Sequence, residues 1–401
     1  MKRTHQDIRR INRFAVMRHV IASAPVARRD IATAAGLSVA TTADIVSELH
    51  DLELLAEIGQ QESGGGRPRN LLAPDPDGPR LIGVDIAETY VHVEVFDPAL
   101  RVLARAEEEL HPQHNPPEHV VDRIVCGIDT VLDELQVPDD RVLGVGVSVP
   151  GQVGPNGKAS VFAPNWNWRD VPLAALLAER IPYSVRLDNP LRASTVAELW
   201  FGAARGRDHV AVLTLGTGVG AGLAVHGAIY HGATNTAGEW GHTNLVLEGR
   251  RCRRGCVGCV EAYVGAPGIM QQLQDVAPDS PLLVPSDQTA TINALAAALS
   301  VGDPVAEQTI AATGGYLGVA IANMINLFNP QIIVLTGWVA DRLGEHLLRH
   351  TRTTAARYAL DEPWEGTEII LCPIDRNPVS LGAATLVMEG FLSEAGTSSR
   401  S

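Results

Sequence analysis

The sequence predicts an α/β protein in which a small helical module precedes a larger region of alternating strands and helices. Residues 9–58 contain three stretches with the apolar spacing of helices. The stretch 73–80 is rich in proline, glycine and aspartate and has no apolar period, which is typical of a linker. From Leu81 onward, apolar strands alternate with helices, as in α/β domains. We therefore place a domain boundary at this linker.

Composition and charge restrict the class of protein. The chain has 401 residues, of which 45% are hydrophobic and 19% charged, and it lacks an uninterrupted apolar run of the ~20 residues that a membrane span needs. The net charge is −14, yet residues 1–70 hold ten basic and eight acidic residues. The acidity belongs to the larger region, so the helical module remains a candidate for binding nucleic acid. The first thirty residues lack the apolar core of a secretion signal, and we expect a cytoplasmic protein.

The helical module has the punctuation of a helix-turn-helix. Helices are predicted over 9–24 and 28–35, and Gly36 then permits a tight turn at positive φ. Ser38 is placed to cap a third helix. Helical spacing turns one face of this third helix inward, namely Thr42, Ile45, Val46 and Leu49. The opposite face is available to enter a DNA groove and carries Val39, Ala40, Ala43, Asp44 and Ser47.

A β-hairpin with a glycine-rich tip follows the third helix. Helical spacing alone is equally typical of a plain three-helix packing unit, so the hairpin decides the prediction. Its tip holds three glycines followed by Arg67, Pro68 and Arg69, which brings a cation close to a minor groove. We therefore predict a winged helix-turn-helix over residues 1–72 that binds double-stranded operator DNA. The predicted DNA contacts are Arg28, Arg29, Ser38, Val39, Ala40, Thr41, Asp44, Arg67 and Arg69.

Several motifs of the larger region carry a resemblance to a known family. They are the run Pro164-Asn165-Trp166-Asn167-Trp168, the loop Leu215-Gly216-Thr217-Gly218-Val219-Gly220, the run Ala237-Gly238-Glu239-Trp240-Gly241-His242, and Gly258-Cys259-Val260-Glu261. Together with the glycine-rich wing, they resemble the ROK family of repressors and sugar kinases over essentially the whole chain. The resemblance implies a two-lobed, actin-like (hexokinase-like) fold over residues 81–395, a sugar in its cleft, and a homodimer or homotetramer. Residues 396–401 are expected to form a disordered tail.

Three departures from the family's kinase motifs predict that this domain does not transfer phosphate. In place of the family's phosphate-binding Gly-Gly-Thr-Lys, the chain has Ala87-Glu88-Thr89-Tyr90, so an acidic side chain stands where phosphate oxygens would lie. Pro190 stands at the position of the catalytic aspartate and cannot accept a proton. Trp338 replaces a small residue of the nucleotide-ribose motif. We expect no catalytic residues, and the glycine loop at 216–222 is then a structural turn.

The resemblance also implies a sugar site and a structural zinc ion. The residues at the family's sugar-contacting positions are Asn165, Asn189, Glu239, His242 and Glu261. Taken singly, either asparagine could instead cap a turn, and Glu239 could be solvated. One histidine and three cysteines hold the family's zinc, but here Arg254 occupies one cysteine position and Cys256 follows two residues later. We predict one zinc site formed by His242, Cys252, Cys256 and Cys259.

Together these features predict a sugar-responsive transcriptional regulator, a repressor by family resemblance. It would bind inverted-repeat operator DNA through the winged helix-turn-helix, and a sugar or sugar derivative in a catalytically inactive kinase-like domain. Two alternatives stay open at this point. One is an active ROK sugar kinase with a vestigial DNA-binding module, and the other is a constitutive DNA binder whose second domain only dimerises.

Overall fold

The structure is a computed structural model that describes residues 5–61, 69–111, 114–154, 157–161 and 166–394. It divides into two compact units, of which unit 1 comprises residues 1–193 with 376–401 and unit 2 comprises residues 194–375. Both units mix helices with β-sheet, so the predicted α/β class is confirmed.

The secondary-structure elements are numbered in chain order. The helices are α1 (His5–Ser23), α2 (Arg28–Ala34), α3 (Val39–Asp51), α4 (Pro117–Leu135), α5 (Leu173–Ala178), α6 (Pro190–Phe201), α7 (Glu261–Val264), α8 (Ala266–Val276), α9 (Gln288–Ser300), α10 (Pro304–Phe328), α11 (Trp338–Tyr358), α12 (Asp361–Glu365) and α13 (Pro378–Glu394). The strands are β1 (Val26–Ala27), β2 (Leu55–Gln61), β3 (Arg69–Pro74), β4 (Arg80–Ile86), β5 (Tyr90–Phe96), β6 (Val102–Glu109), β7 (Val142–Ser148), β8 (Gln152–Val153), β9 (Ala159–Ser160), β10 (Val185–Asp188), β11 (Val210–Leu215), β12 (Val219–Val225), β13 (Ala228–Ile229), β14 (Ile332–Thr336) and β15 (Glu368–Leu371).

The N-terminal part of unit 1 is a winged helix-turn-helix, as predicted. Helices α1, α2 and α3 pack together, and β2 and β3 form an antiparallel hairpin that β1 joins through β3. Gly36 ends the turn after α2 with φ of +65°, as the predicted tight turn requires. The inward face predicted for α3 is buried and the outward face predicted for it is exposed. The hairpin tip at 62–68, which includes Arg67, lies outside the described residues.

The link between this module and the rest of unit 1 is shorter than the predicted linker at 73–80. Pairing of Leu55 with Pro74 extends β3 over the first two of those residues, and β4 already begins at Arg80. The remaining turn is held by a hydrogen bond from Gly78 N to Asp75 O of 3.2 Å. The Arg141 side chain also donates to the backbone oxygen of Asp77. The segment is thus an ordered turn, because its backbone groups are paired within unit 1.

The main sheets of the two units share one topology. In unit 1 the strand order is β10-β7-β4-β5-β6, and in unit 2 it is β13-β12-β11-β14-β15. Taken in chain order, the first three strands of each sheet form an antiparallel meander. The fourth strand pairs in parallel with the first, and the fifth pairs in parallel with the fourth. This repetition agrees with the two lobes predicted for residues 81–395.

Helix α13 returns to unit 1 and packs directly on the backbones of β4 and β7. Glycines make this approach possible. A Cβ atom at Gly83 would lie 2.0 Å from Ser380 O, and one at Gly146 would lie 2.0 Å from Ala383 O. The far end of α13 contacts α1 of the winged helix-turn-helix. One helix therefore touches both the central sheet of unit 1 and the winged helix-turn-helix.

The long apolar helix α10 forms much of the core of unit 2. Among the residues that the structure describes, it is the one helix with the length and composition of a membrane span. However, 56% of its most apolar 18-residue window is buried inside the protein. This burial is what a central helix of a packed domain shows.

Candidate DNA-binding and ligand-binding sites

The candidate DNA-binding surface centres on the outward face of α3. Of the residues predicted there, Ser38, Val39, Ala40 and Asp44 are exposed and Thr41 is partly exposed. Val39 has 61% of its surface exposed. An exposed apolar side chain in this position is suited to contact a thymine methyl group in the major groove.

The arginines predicted to contact DNA lie around this face and differ in whether they pair with a carboxylate of the protein. Arg29 and Arg69 are exposed, whereas Arg28 pairs with Glu57 of β2 at 2.6 Å and joins α2 to the wing. Glu57 in turn accepts a hydrogen bond from Asn70 at 2.6 Å. A phosphate would therefore compete with Glu57 for Arg28. Within the part of the chain that the structure describes, neither Arg29 nor Arg69 forms an ion pair with a carboxylate.

Ser38 begins the recognition helix by capping it. Its Oγ accepts a hydrogen bond from Thr41 N at 3.0 Å, which pairs one of the otherwise unpaired amides of the first turn. We expect Ser38→Ala to lower the free energy of unfolding by about 1 kcal/mol, and Ser38→Asp, which keeps a capping oxygen, to change it by a few tenths. Urea denaturation of the full-length protein measures both. Equal losses in the two variants would contradict the capping role.

The turn between β4 and β5 contains the residues that the sequence predicts at the position of the family's phosphate-binding loop. Ala87 N donates to Tyr90 O at 2.9 Å, so the turn itself uses this amide. Asp85, which precedes the turn, is buried and accepts a hydrogen bond from Asn377 at 3.0 Å. Burial raises the pKa of the Asp85 carboxyl group. The turn thus contains Glu88 and a backbone amide that is bonded within the turn, and its effect on phosphate binding stays a prediction.

Pro190, which the sequence predicts at the position of the family's catalytic aspartate, is the first residue of α6. Pro190 suits this position because the first helical amide needs no partner. Asn189, 7% exposed, accepts a hydrogen bond from Arg192 N at 3.0 Å and so caps the helix. Arg192 also pairs with Asp188 at 2.9 Å. The capping alternative for Asn189 is thus present, and its contact with sugar stays a prediction. Asn165 lies outside the described residues.

The glycine loop between β11 and β12 is closed by contacts of its own. Gly216 N donates to Gly218 O at 3.1 Å, and Val219 N donates to Glu261 Oε2 at 3.2 Å. The indole of Trp338 packs over the loop, since a Cβ atom at Gly216 would lie 3.1 Å from Trp338 Nε1. Two loop amides are therefore engaged within the protein. This arrangement agrees with the predicted structural turn.

Three of the predicted sugar-contacting residues of unit 2 come from segments that pack on β12. Glu239 and His242 stand at the two ends of a 3-10 turn, and Glu261 begins α7. Two glycines bring the turn against the strand. A Cβ atom at Gly238 would lie 1.9 Å from Ala221 O, and one at Gly241 would lie 1.9 Å from Val219 O. Because these close contacts exclude side chains, the backbone that carries Glu239 and His242 is fixed on β12.

His242, Cys252 and Cys259 form a candidate metal centre in unit 2. Their ligand atoms all lie within 4.8 Å of one another, with His242 Nδ1 and Cys252 Sγ 3.8 Å apart. Burial and the neighbouring Cys252 thiol raise the pKa of Cys259 to about 12. A bound cation would stabilise the Cys259 thiolate. One imidazole with thiolates is the donor set that zinc prefers. Cys256 is exposed and lies outside the three-residue group, so its role as fourth ligand stays a prediction.

Comparison with known proteins identifies the family. The model of the ROK family matches residues 81–389. The chain belongs to the ROK family. A xylose repressor of Bacillus spizizenii is 25% identical over 385 residues, which cover 96% of this chain and 97% of the repressor. A glucokinase of Thermotoga maritima is 32% identical over 316 residues, covering 77% of this chain and 98% of the kinase.

A solved structure extends the match over both parts of this ROK protein. It is a crystal structure of a ROK family transcriptional regulator described as a homolog of E. coli MLC protein. The TM-score is 0.80 at 25% identity, and the match covers 97% of this chain and 98% of that regulator. The predicted resemblance and the predicted fold are confirmed, namely an N-terminal winged helix-turn-helix followed by a two-lobed actin-like domain.

The ROK domain also contains buried polar groups that the sequence motifs did not single out as contacts. Ser148 Oγ and Trp166 Nε1 in unit 1 are buried and have no hydrogen-bond partner among the described residues. Trp166 packs edge-on against Trp168 with ring centroids 4.7 Å apart. Trp166 lies in the motif at 164–168, so its indole N–H could have been considered from sequence. Ser148 ends an ordinary apolar strand, and nothing in its spacing distinguishes it.

Proposed function

We propose that this ROK protein is a sugar-responsive transcriptional repressor. The observation that carries the proposal is the winged helix-turn-helix ahead of the ROK domain, with an exposed recognition face on α3. This face places Val39 where it can contact a base, with exposed Arg29 and Arg69 nearby that can contact phosphates. The similarity to a xylose repressor and to a ROK transcriptional regulator, each over nearly the whole chain, supports the same function.

The kinase-like domain acts in this proposal as a sensor rather than as an enzyme. Pro190 provides no general base, and the β4–β5 turn presents Glu88 rather than a phosphate cradle. Trp338 packs on the glycine loop, which would otherwise lie open to a nucleotide. Each feature removes a different requirement of phosphoryl transfer, namely the base, the phosphate contacts and the space for the nucleotide.

The proposed roles of individual residues follow from this assignment. Residues 1–72 bind DNA, and residues 81–395 form the effector domain. The proposed DNA contacts are Arg28, Arg29, Ser38, Val39, Ala40, Thr41, Asp44, Arg67 and Arg69. The proposed sugar contacts are Asn165, Asn189, Glu239, His242 and Glu261. One zinc ion is held by His242, Cys252, Cys259 and Cys256, and it fixes the cysteine-bearing loop beside the 3-10 turn that carries Glu239.

The proposal includes assembly and location. The protein acts in the cytoplasm. It assembles as a homodimer or homotetramer, because two winged helix-turn-helix modules read an inverted repeat with a fixed spacing. The sugar changes DNA affinity to the extent that it binds the two arrangements of the repressor unequally.

DNA binding is tested with DNA from the protein's own promoter region. We expect the full-length protein to bind it about 10³-fold or more tightly than unrelated DNA of equal length at the same salt concentration. The double variant Arg29→Ala, Arg69→Ala is expected to weaken both affinities and to flatten the salt dependence by about two phosphate contacts. Gel shifts over a salt series measure both quantities. Equal affinity for both DNAs would contradict the repressor function.

The alternative of an active sugar kinase is tested by ADP formation. The purified protein is incubated with ATP, Mg²⁺ and a panel of hexoses, pentoses and amino sugars, and turnover above the background of ATP hydrolysis is not expected. The variant Pro190→Asp is expected to stay inactive, because Glu88 and Trp338 remain in place. Phosphorylated sugar formed by the wild-type protein would establish the kinase instead.

A further inference from the structure

Two histidines of α11 lie beside one glutamate of α10 in unit 2. His346 and His350 both follow Gly344, where non-helical φ/ψ angles interrupt α11, so they lie in one continuous stretch of helix. Residues at positions i and i+4 lie on the same face of a helix. His346 Nδ1 is 3.8 Å from Glu307 Oε1, and His350 Nε2 is 3.7 Å from Glu307 Oε2. Both imidazole rings therefore lie next to the same carboxylate.

The packing of α11 on α10 brings these three side chains together. A Cβ atom at Gly314 of α10 would lie 2.5 Å from His350 Cβ, so the two helices approach closely at this glycine. Glu307 precedes Gly314 by about two helical turns and therefore lies on the same face of α10. The side chains of Glu307, His346 and His350 remain partly exposed. A small ion can thus reach the group from solvent.

The distances in this group are too long for hydrogen bonds. The donor and acceptor atoms of an N–H···O bond are roughly 2.7–3.2 Å apart. His350 Nε2 is buried and has no hydrogen-bond partner among the described residues. In a tetrahedral zinc site with bonds of about 2.0–2.2 Å, neighbouring ligand atoms are about 3.3–3.6 Å apart. Each imidazole nitrogen thus lies close to the distance from the carboxylate that a shared metal ion requires.

Binding of one ion by all three residues requires a small rearrangement. In the part of the chain that the structure describes, the group at His242 has all its ligand atoms within 4.8 Å of one another, and the group at Glu307 does not. The two imidazoles therefore have to turn toward each other about their side-chain bonds. The ring of His346 has space to do so, since its side chain is 42% exposed. We therefore expect an open site that fills only when the metal is added.

Arg349 of α11 pairs with the same carboxylate. Its guanidinium lies 3.3 Å from Glu307 Oε2, and its side chain is 62% exposed. Exposed ion pairs of this kind are weak, because water and salt screen them. A divalent cation can therefore displace Arg349 from Glu307. Removal of the arginine is expected to strengthen metal binding, whereas removal of a ligand weakens it.

We propose that Glu307, His346 and His350 form a second metal site, which binds a divalent transition metal such as Zn²⁺. Two imidazoles at positions i and i+4 of one helix, with a carboxylate as third ligand, are a donor set that suits zinc. Mg²⁺ and Ca²⁺ instead take oxygen ligands. The set contains no thiolate, so it differs in chemistry from the centre predicted at His242. A bound ion joins α10 to the part of α11 that follows Gly344.

The number of bound ions tests the site. Full-length protein is dialysed to equilibrium against a series of Zn²⁺ concentrations and then subjected to elemental analysis. We expect about one ion from the cysteine-bearing centre and about one more that binds at higher zinc concentration. An excess of Mg²⁺ is expected to leave the second ion bound. Co²⁺ added to the zinc-loaded protein is expected to show imidazole and carboxylate coordination, without the charge-transfer absorption of a cobalt–thiolate bond.

Matched variants locate the second ion. The double variant His346→Gln, His350→Gln is expected to bind about one ion fewer over the same concentration range. Glu307→Gln is expected to weaken the second ion about tenfold or more. His209→Gln is the control, because the His209 ring also packs against another histidine, His226, with ring centroids 5.2 Å apart. This control is expected to keep both ions.

The outcomes distinguish a built site from adventitious binding. Arg349→Gln is expected to strengthen the second ion, because it removes the cation that competes for Glu307. Thermal unfolding without added zinc shows whether each variant is folded, and added zinc is expected to raise the unfolding temperature less in the double histidine variant than in the wild type. If the double variant binds as many ions as the wild type, the site is wrong. Loss of the same ion in His209→Gln would show adventitious binding to surface histidines. Neither result depends on operator binding, so the repressor function is tested separately.

Discussion

Arg13→Met is expected to destabilise the winged helix-turn-helix by about 2–4 kcal/mol and to loosen it from the ROK domain. The Arg13 side chain is 3% exposed and forms an ion pair with Glu48 of α3. It also donates to Leu392 O of α13 at 3.0 Å. One buried guanidinium thus joins α1, α3 and α13. Its loss leaves the backbone oxygen of Leu392 and the Oε1 atom of Glu48 without the donor that Arg13 provides.

Arg9 provides the matched control, because it pairs with the same Glu48 at 3.0 Å but has 60% of its side chain exposed. Arg9→Met removes an exposed ion pair and is expected to cost less than 1 kcal/mol. Urea denaturation and limited proteolysis of the two full-length variants measure the difference. Similar losses in both would show that Arg13 is not the link we infer.

The contact between Arg13 and α13 also bears on regulation. Helix α13 lies on β4 and β7, and its preceding residue Asn377 bonds to Asp85 at the β4–β5 turn. A shift of that turn would therefore reach α1 through a packed helix. We expect Arg13→Met to reduce the effect of a bound sugar on operator affinity more than it reduces the affinity for the sugar. Gel shifts with and without the sugar, alongside isothermal titration, separate these two quantities.

The sequence alone was sufficient to predict the structure where local periodicity determines it. The faces of α3 were predicted because burial at every third or fourth residue is a property of one helix. Helix ends were harder to predict, and α10 begins at Pro304, in a polar turn that precedes its apolar residues. The cause is a local helix cap. Asp303 Oδ1 accepts from the amides of Val305 and Ala306 at 2.9 Å, and this cap extends the helix over a polar turn.

Contacts between distant segments could not be predicted from the pattern. Strand β1 has two residues, too few to show alternation, and it exists because Val26 and Ala27 pair with β3. The return of α13 to unit 1 depends on glycines at Gly83 and Gly146, whose importance is evident only from what a Cβ atom would meet. The buried position of Arg13 likewise depends on a residue 379 positions away.

In the candidate sites, too, some residues could be predicted from sequence motifs and others could be recognised only from the structure. The motifs led to His242, Cys252 and Cys259, which the structure brings together, because ligands of one site recur at short spacing. A cavity in unit 2 is lined by residues from separate segments, such as Thr217, Arg251 and Gln271, so it could be recognised only in three dimensions.

Cys259→Ser is expected to reduce bound zinc from about one ion per chain to less than about 0.1. Cys259 is 2% exposed and belongs to the group whose ligand atoms lie within 4.8 Å. Serine is a far weaker zinc ligand than a thiolate. The loss also releases the loop that carries Arg251 and Arg253, because a structural zinc ion contributes strongly to the stability of the segment that it closes. Elemental analysis of protein purified without chelator measures the zinc directly.

Two further cysteines complete this experiment. Cys126→Ser alters an exposed thiol in unit 1 and is expected to leave the zinc content unchanged. Cys256→Ser decides the fourth ligand, because a loss of affinity by tenfold or more would place this thiolate on the metal, whereas an unchanged affinity would leave the position to another donor. Wild-type protein without zinc would contradict the site altogether. Zinc retained by Cys259→Ser would show that the ion lies elsewhere, and then the loop at 249–259 would owe its conformation to protein contacts such as those of Arg250.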